Sequence, residues 1–210
     1  MDNPTPTTQP YTSAILLATF SLIAALLITP PMLWHGSNRN IGATSLILWL
    51  LILNFQTFIN ALIWPHDDIS QWYSGNVLCD IEVKTMIAAQ IGVPASVASV
   101  LRVLARVMDT DKVGLGLSKA QKRKDLAVDL LWCVGFPLLQ MFSHYVVQTE
   151  RYYVIGIAGC TPAASSSWVT DLLIFAPPVA WTLLGGWYSG EIDNPFLFLP
   201  SESRADMRHQ

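Results

Sequence analysis

Positive charge is scarce in this chain and absent from its start. Only 12 of 210 residues are Lys or Arg, and none precedes Arg39. Residues 1–13 are polar and offer no basic n-region, so no cleavable signal peptide is expected and the first apolar run should stay as an anchor. Cysteine is nearly absent too, at three residues, and no C-x-x-C or H-x-x-x-H pair occurs, so neither a metal centre nor a cofactor is expected. H-E-x-x-H, G-x-S-x-G and a Gly-rich phosphate loop are missing. A membrane aspartyl protease needs two carboxylates side by side. Asp129 and Asp171 open runs that enter from opposite sides, which separates them by about 30 Å, a hydrocarbon thickness. The chain is therefore not expected to be an enzyme, nor to bind nucleic acid. The Asn3-Pro4-Thr5 match to a glycosylation sequon carries Pro at the forbidden middle position.

Apolar surface is what the sequence has in abundance. Hydrophobic residues make up 52%, charged residues only 13%, and mean hydropathy is +0.40. Trp is frequent at eight, which suits anchors at a membrane interface. A spanning helix needs about 20 mostly apolar residues. Five runs qualify, over about 14–33, 41–64, 79–104, 126–147 and 168–189. The alternative, a soluble bundle of core helices, is disfavoured because uncharged runs this long are rare in soluble folds.

The basic residues fix an orientation. Ten of them fall in three stretches: Arg39; then Arg102, Arg106, Lys112, Lys119, Lys122, Arg123 and Lys124; then Arg204 and Arg208. Five crossings put all three on one side, and cytoplasmic loops are the ones that carry excess Lys and Arg. The expected fold class is all-α, a polytopic membrane helical bundle. Residues 1–13 form an extracellular tail, 14–190 the transmembrane bundle and 191–210 a cytoplasmic tail. Residues 65–78 and 148–167 are then outer loops.

That topology brings Cys79 and Cys160 to the same oxidising side, where a disulfide between them is expected. Cys133, inside the fourth run, is expected to be a small packing residue. Ionisable and amide groups within spans are costly and usually face the bundle interior. Glu82 and Gln90 are placed on one face of the third helix, with Lys84 close by and Asp171 as its candidate partner. Gln140, His144 and Gln148 recur at i, i+4 and i+8 on the fourth helix. These groups either floor an outward-facing pocket or serve as interhelical glue. Arg102 either snorkels at the inner interface or engages an intracellular partner or a resting-state lock. Asn54, Gln56, Thr57 and Asn60 cannot all share one face of the second helix.

Three blocks in order carry a family resemblance: NRNIGATSLILWLLILNFQTFINALIWPHDD (38–68), LCDIEVKTMIAAQIGVPASVASVLRVLARV (78–107) and GFPLLQMFSHYVVQTERYYVIGIAGCTP (135–162). Over about residues 14–190 the chain resembles the fungal a-factor-like mating pheromone receptors, class D G-protein-coupled receptors. The resemblance implies a seven-helix receptor at the plasma membrane, of which five helices are seen here, with a truncation after the fifth. It implies a prenylated peptide pheromone as ligand, with Glu82, Lys84, Gln90, Gln140, His144 and Asp171 as candidate contacts. It implies a heterotrimeric G protein as partner, faced by Arg102, Arg106, Lys122 and Arg123. Membrane lipids surround such a receptor, and it allows a receptor dimer. Residues 191–210 do not match the family. Two other functions remain in view: a small transporter, which needs charges along a continuous path, and a non-signalling membrane interaction protein.

Overall fold

In a bilayer every backbone N–H and C=O must find a partner inside the protein, and a helix does this within one segment. The computed structural model describes residues 9–66, 68–108 and 118–193, and each apolar run is a helix. These are α1 (Thr12–Ser37), α2 (Ile41–Ile63), α3 (Asn76–Met108), α4 (Lys119–Val147) and α5 (Trp168–Gly190), all long and apolar enough to cross a membrane. Most outrun their apolar cores. α4 begins well before residue 126 because the Ser118 hydroxyl caps it, accepting the Gln121 N–H at 3.2 Å, and Lys, Ala and Gln then favour helix.

The two outer connections are more structured than plain loops. Residues 148–167 contain an antiparallel hairpin, β1 (Tyr153–Ile155) with β2 (Gly159–Thr161), in which Val154 pairs with Cys160. Asp68 caps a short 3-10 turn, Ile69–Gln71. The Ser70 hydroxyl bonded to it, with the Ser70 N–H and the Gln71 amide, holds its carboxyl below the usual carboxylate range.

The helices pack in chain order, α1 on α2 and α2 on α3, while α3 also takes α4 and α5 on its flanks. The contact faces of α1 and α3 are rich in small residues. α1 buries Ala14, Ala18, Ser21 and Ala25, one stripe at helical spacing. α3 buries Ala88, Ala89, Gly92, Ala95, Ser96, Ala98 and Ser99. Large apolar side chains such as Phe20, Leu27, Phe55, Phe142 and Leu183 point outward. Lipid tails are as apolar as Leu, so helices in a membrane gain most from close backbone approach. Among the glycines within helices Gly92 is the tightest case: a Cβ there would lie 2.4 Å from the Trp49 indole.

Prolines decide how α4 and α5 join the rest. An α-helical carbonyl bonds the N–H four residues on, and proline has none. Pro137 therefore withholds a donor from the Cys133 carbonyl, and α4 widens to a π turn over Leu131–Gly135. That carbonyl accepts from the Ser45 hydroxyl at 3.3 Å and the Trp49 indole N–H at 3.2 Å, both on α2. Pro177 and Pro178 do the same to the carbonyls of Leu173 and Ile174, beside a π turn over Asp171–Phe175. Both accept from the Gln140 amide of α4, at 3.0 and 3.4 Å. Cys133 is buried as expected of a packing residue.

Gly92→Ala should displace Trp49 and break its bond to the Cys133 carbonyl. The expected cost is about 1–3 kcal/mol, from overpacking and an unmet acceptor. Thermal unfolding in detergent reads it as a lowered midpoint, and an unchanged midpoint would show that the indole is not held there.

Candidate functional site

The hairpin end of the bundle is closed by a covalent and hydrogen-bonded cap. Cys79, near the start of α3, is joined to Cys160 of β2, and both are buried with Trp64 and Val83. The Ile157 N–H donates to the Trp64 carbonyl at 2.8 Å and the Asn60 amide to the Ala158 carbonyl at 3.0 Å. Gly159 has φ +75°, and a Cβ there would fall 2.2 Å from Asn60, so only glycine lets the hairpin seat on α2. Tyr152 donates to Asn76 Oδ1 at 2.9 Å, and Arg151 pairs with Asp80.

Below this cap lies a polar pocket of about 300 Å³ between α3 and α4, lined by Asp80, Val83, Lys84, Tyr145, Gln148 and Arg151. The Lys84 ammonium lies 2.8 Å from His144 Nδ1, donates to Gln148 Oε1 at 3.0 Å and sits 3.5 Å above the Tyr145 ring. His144 is fully buried behind it. Two cations and one carboxylate leave the pocket with one positive charge, beside the exposed Tyr145 ring.

The six tentative ligand residues do not converge. Lys84 and His144 meet here. Glu82 is buried near α2, where Gln56 donates to its backbone carbonyl at 3.3 Å and to the Thr85 hydroxyl. Gln90 instead lines a groove against α5. Eight residues overshoot two helical turns by about 80°, which is why these two part. Gln140 is spent on the α5 carbonyls. Asp171 is exposed and is not the partner of Lys84, because Thr170 and Ile174 are the neighbours that turn inward. Gln148 and Tyr145 complete the Lys84 site, Gln148 as the outer end of the polar stripe on α4 and Tyr145 without a signal in the sequence.

At the opposite, basic end, Arg102 is 6% exposed and neither snorkels nor faces outward. It donates to Asp129 Oδ1 of α4 at 2.5 Å, where the Ser99 hydroxyl also donates at 2.6 Å, and it lies 4.9 Å from the Trp132 ring. One turn on, Arg106 pairs with Asp125 at 2.8 Å. Lys122 and Arg123 are exposed, on the first turns of α4 rather than in a loop. Lys112, Arg204 and Arg208 lie outside the described residues, as do residues 1–8 and 194–210.

The profile of the family described as Pheromone A receptor matches residues 16–194. The pheromone a factor receptor of Saccharomyces cerevisiae is 32% identical over 199 residues, 94% of this chain and 40% of that protein. Pheromone receptor 1 of Mycosarcoma maydis is 31% identical over 172 residues, covering 81% of this chain and 46% of its own length. The pheromone M-factor receptor of Schizosaccharomyces pombe is 25% identical over 171 residues, 80% of this chain and 45% of its own. The chain thus spans less than half the length of these curated relatives. No solved structure matches.

Asp129→Leu alone should leave a buried guanidinium unpaired and cost about 3–5 kcal/mol, whereas the double variant Arg102→Met, Asp129→Leu should recover most of that loss. Unfolding midpoints of the two singles and the double test this. Additive losses would mean that the pair is not coupled.

Proposed function

The chain belongs to the Pheromone A receptor family, and from that membership we propose that it is the five-helix part of a fungal mating pheromone receptor in the plasma membrane, with its N-terminus and hairpin outside. The basic end then faces the cytoplasm, as the excess of Lys and Arg in cytoplasmic loops requires. The ligand in this reading is a lipid-modified peptide. The observation that carries it is the Lys84 pocket. It combines a fixed cation and amide, which orient a peptide, with the apolar surface of Val83 and the exposed Tyr145 ring. A lipid anchor can lie against the Tyr145 ring while the peptide's polar end reaches Lys84.

The proposed cytoplasmic partner is a heterotrimeric G protein, met by the exposed Lys122 and Arg123 beside the Arg106–Asp125 pair. Arg102 stays behind this surface, as an internal tie between α3 and α4. A transporter is the weaker reading, since the ionic groups named above gather at the two ends of the bundle and leave its middle to Ala, Gly and Ser.

Lys84→Gln, placed in a receptor of full family length, should lower pheromone affinity about tenfold, the effect of about 1.4 kcal/mol, with surface expression unchanged. Binding of labelled pheromone to intact cells reads this, and equal affinities would remove Lys84 from the ligand site.

Agonist can activate a partner only by favouring a conformation that the partner also favours. The 210-residue chain alone, in a receptor-null mating cell, is expected to insert in the membrane without transmitting the pheromone signal. A pheromone-dependent transcriptional response from that cell would overturn this.

A further inference from the structure

Three buried oxygens gather where α2 meets α3 under the hairpin, and none has a hydrogen-bond donor among the described residues. They are Gln56 Oε1, Asn60 Oδ1 and Glu82 Oε2. The three residues are 9%, 2% and 3% exposed. Gln56 and Asn60 stand one turn apart on α2. Gln56 donates to the Glu82 backbone carbonyl, and the Asn60 side chain is within hydrogen-bonding reach of the Glu82 carboxyl.

Turning the amides over does not cure this. The Gln56 amide nitrogen serves the Glu82 carbonyl and the Thr85 hydroxyl, and that of Asn60 serves the Ala158 carbonyl at the hairpin turn. Exchanging oxygen for nitrogen in either would set it against a carbonyl oxygen.

Positive charge is what the cluster requires. A buried carboxylate is costly unless it is paired or coordinates a cation. Among the described residues no cationic side chain pairs with Glu82. Lys84, two residues on, is about 200° around α3 and is spent on His144 and Gln148 of α4. Arg151 is paired with Asp80. A water can donate to two of the oxygens but leaves the charge in place. A proton on Glu82 removes the charge but reaches one amide oxygen and leaves the other unmet. Oxygens of carboxylate and amide are the ligands of hard cations, not of the softer metals that His and Cys take. One carboxylate balances one positive charge, whereas a divalent ion would leave a net charge buried.

We propose that Gln56, Asn60 and Glu82 hold a monovalent metal cation of Na+ or K+ size between α2 and α3. The ion ties the two helices together and, through Asn60, braces the hairpin seated on that residue. The site lies on the other side of α3 from the Lys84 pocket. It does not rest on the ligand reading, and failure of the Lys84 experiment leaves it standing.

The test uses the purified 210-residue chain in mild detergent, with NaCl or KCl exchanged for choline chloride at constant ionic strength and pH. Na+ or K+ should raise the thermal unfolding midpoint saturably, by about 4 °C well above half-saturation. Glu82→Gln, isosteric but uncharged, should abolish the rise. Asp68→Asn, which removes a carboxylate from the neighbouring outer connection, should leave it intact. The Cys79–Cys160 bridge, read on a non-reducing gel, reports that each variant folds. Where Glu82→Gln fails to form the bridge, Glu82→Asp replaces it and should raise the half-saturating concentration at least fivefold. Equal midpoints in Na+, K+ and choline overturn the proposal. So does a rise that survives Glu82→Gln or disappears with Asp68→Asn. A stabilisation that appears on acidification alike in all three salts also overturns it, and assigns a proton to Glu82 instead.

Discussion

The bond from the Trp49 indole to the Cys133 carbonyl is the contact on which the arrangement of the bundle turns. Proline in α4 creates the need for it, since a carbonyl in lipid has no water to turn to. The indole can supply it only because Gly92 leaves room on α3. One hydrogen bond therefore fixes α2, α3 and α4 relative to one another near their middles. Gln140 does the same between α4 and α5. These are directional contacts, and in a medium where hydrophobic association between helices is absent they supply orientation that apolar packing does not.

The two ends of the bundle are held differently. At the hairpin end a disulfide, a hairpin and main-chain bonds join α2, α3 and the connection that follows α4. At the basic end the joint is ionic, with Ser99 and Arg102 of α3 sharing one oxygen of Asp129. A covalent joint keeps its geometry through any motion of the helices, whereas an ion pair has alternatives once another group offers itself. Rearrangement in this bundle is consequently easier at the basic end.

Much of this was legible in the sequence. Apolar length located the five helices, and the resemblance of three sequence blocks located the family. The ends of the helices were not legible from hydropathy, because polar residues such as Lys119 to Asp125 continue a helix once Ser118 caps it. The hairpin escaped notice because its strands are three residues long and carry no alternation. Helix faces were misjudged where spacing was read too coarsely: Glu82 and Gln90 diverge, and Asp171 is one residue off the inward face. The proline sites carry information about helix contacts that hydropathy does not. Pro137, Pro177 and Pro178 name the carbonyls that need donors, and Gln140, open in the sequence between pocket residue and interhelical glue, is one of those donors.

The fit of Trp49 against Gly92 also constrains the order in which substitutions can accumulate. Enlarging residue 92 first meets the indole at once. Shrinking residue 49 first opens a void and leaves the Cys133 carbonyl to Ser45 alone, a loss but not a collision. Removing Pro137 before either restores an internal N–H for that carbonyl and makes the indole dispensable. Descent from this sequence to one without the tryptophan therefore has a passable direction, beginning in α4 and ending in α3, and the reverse direction begins with a clash.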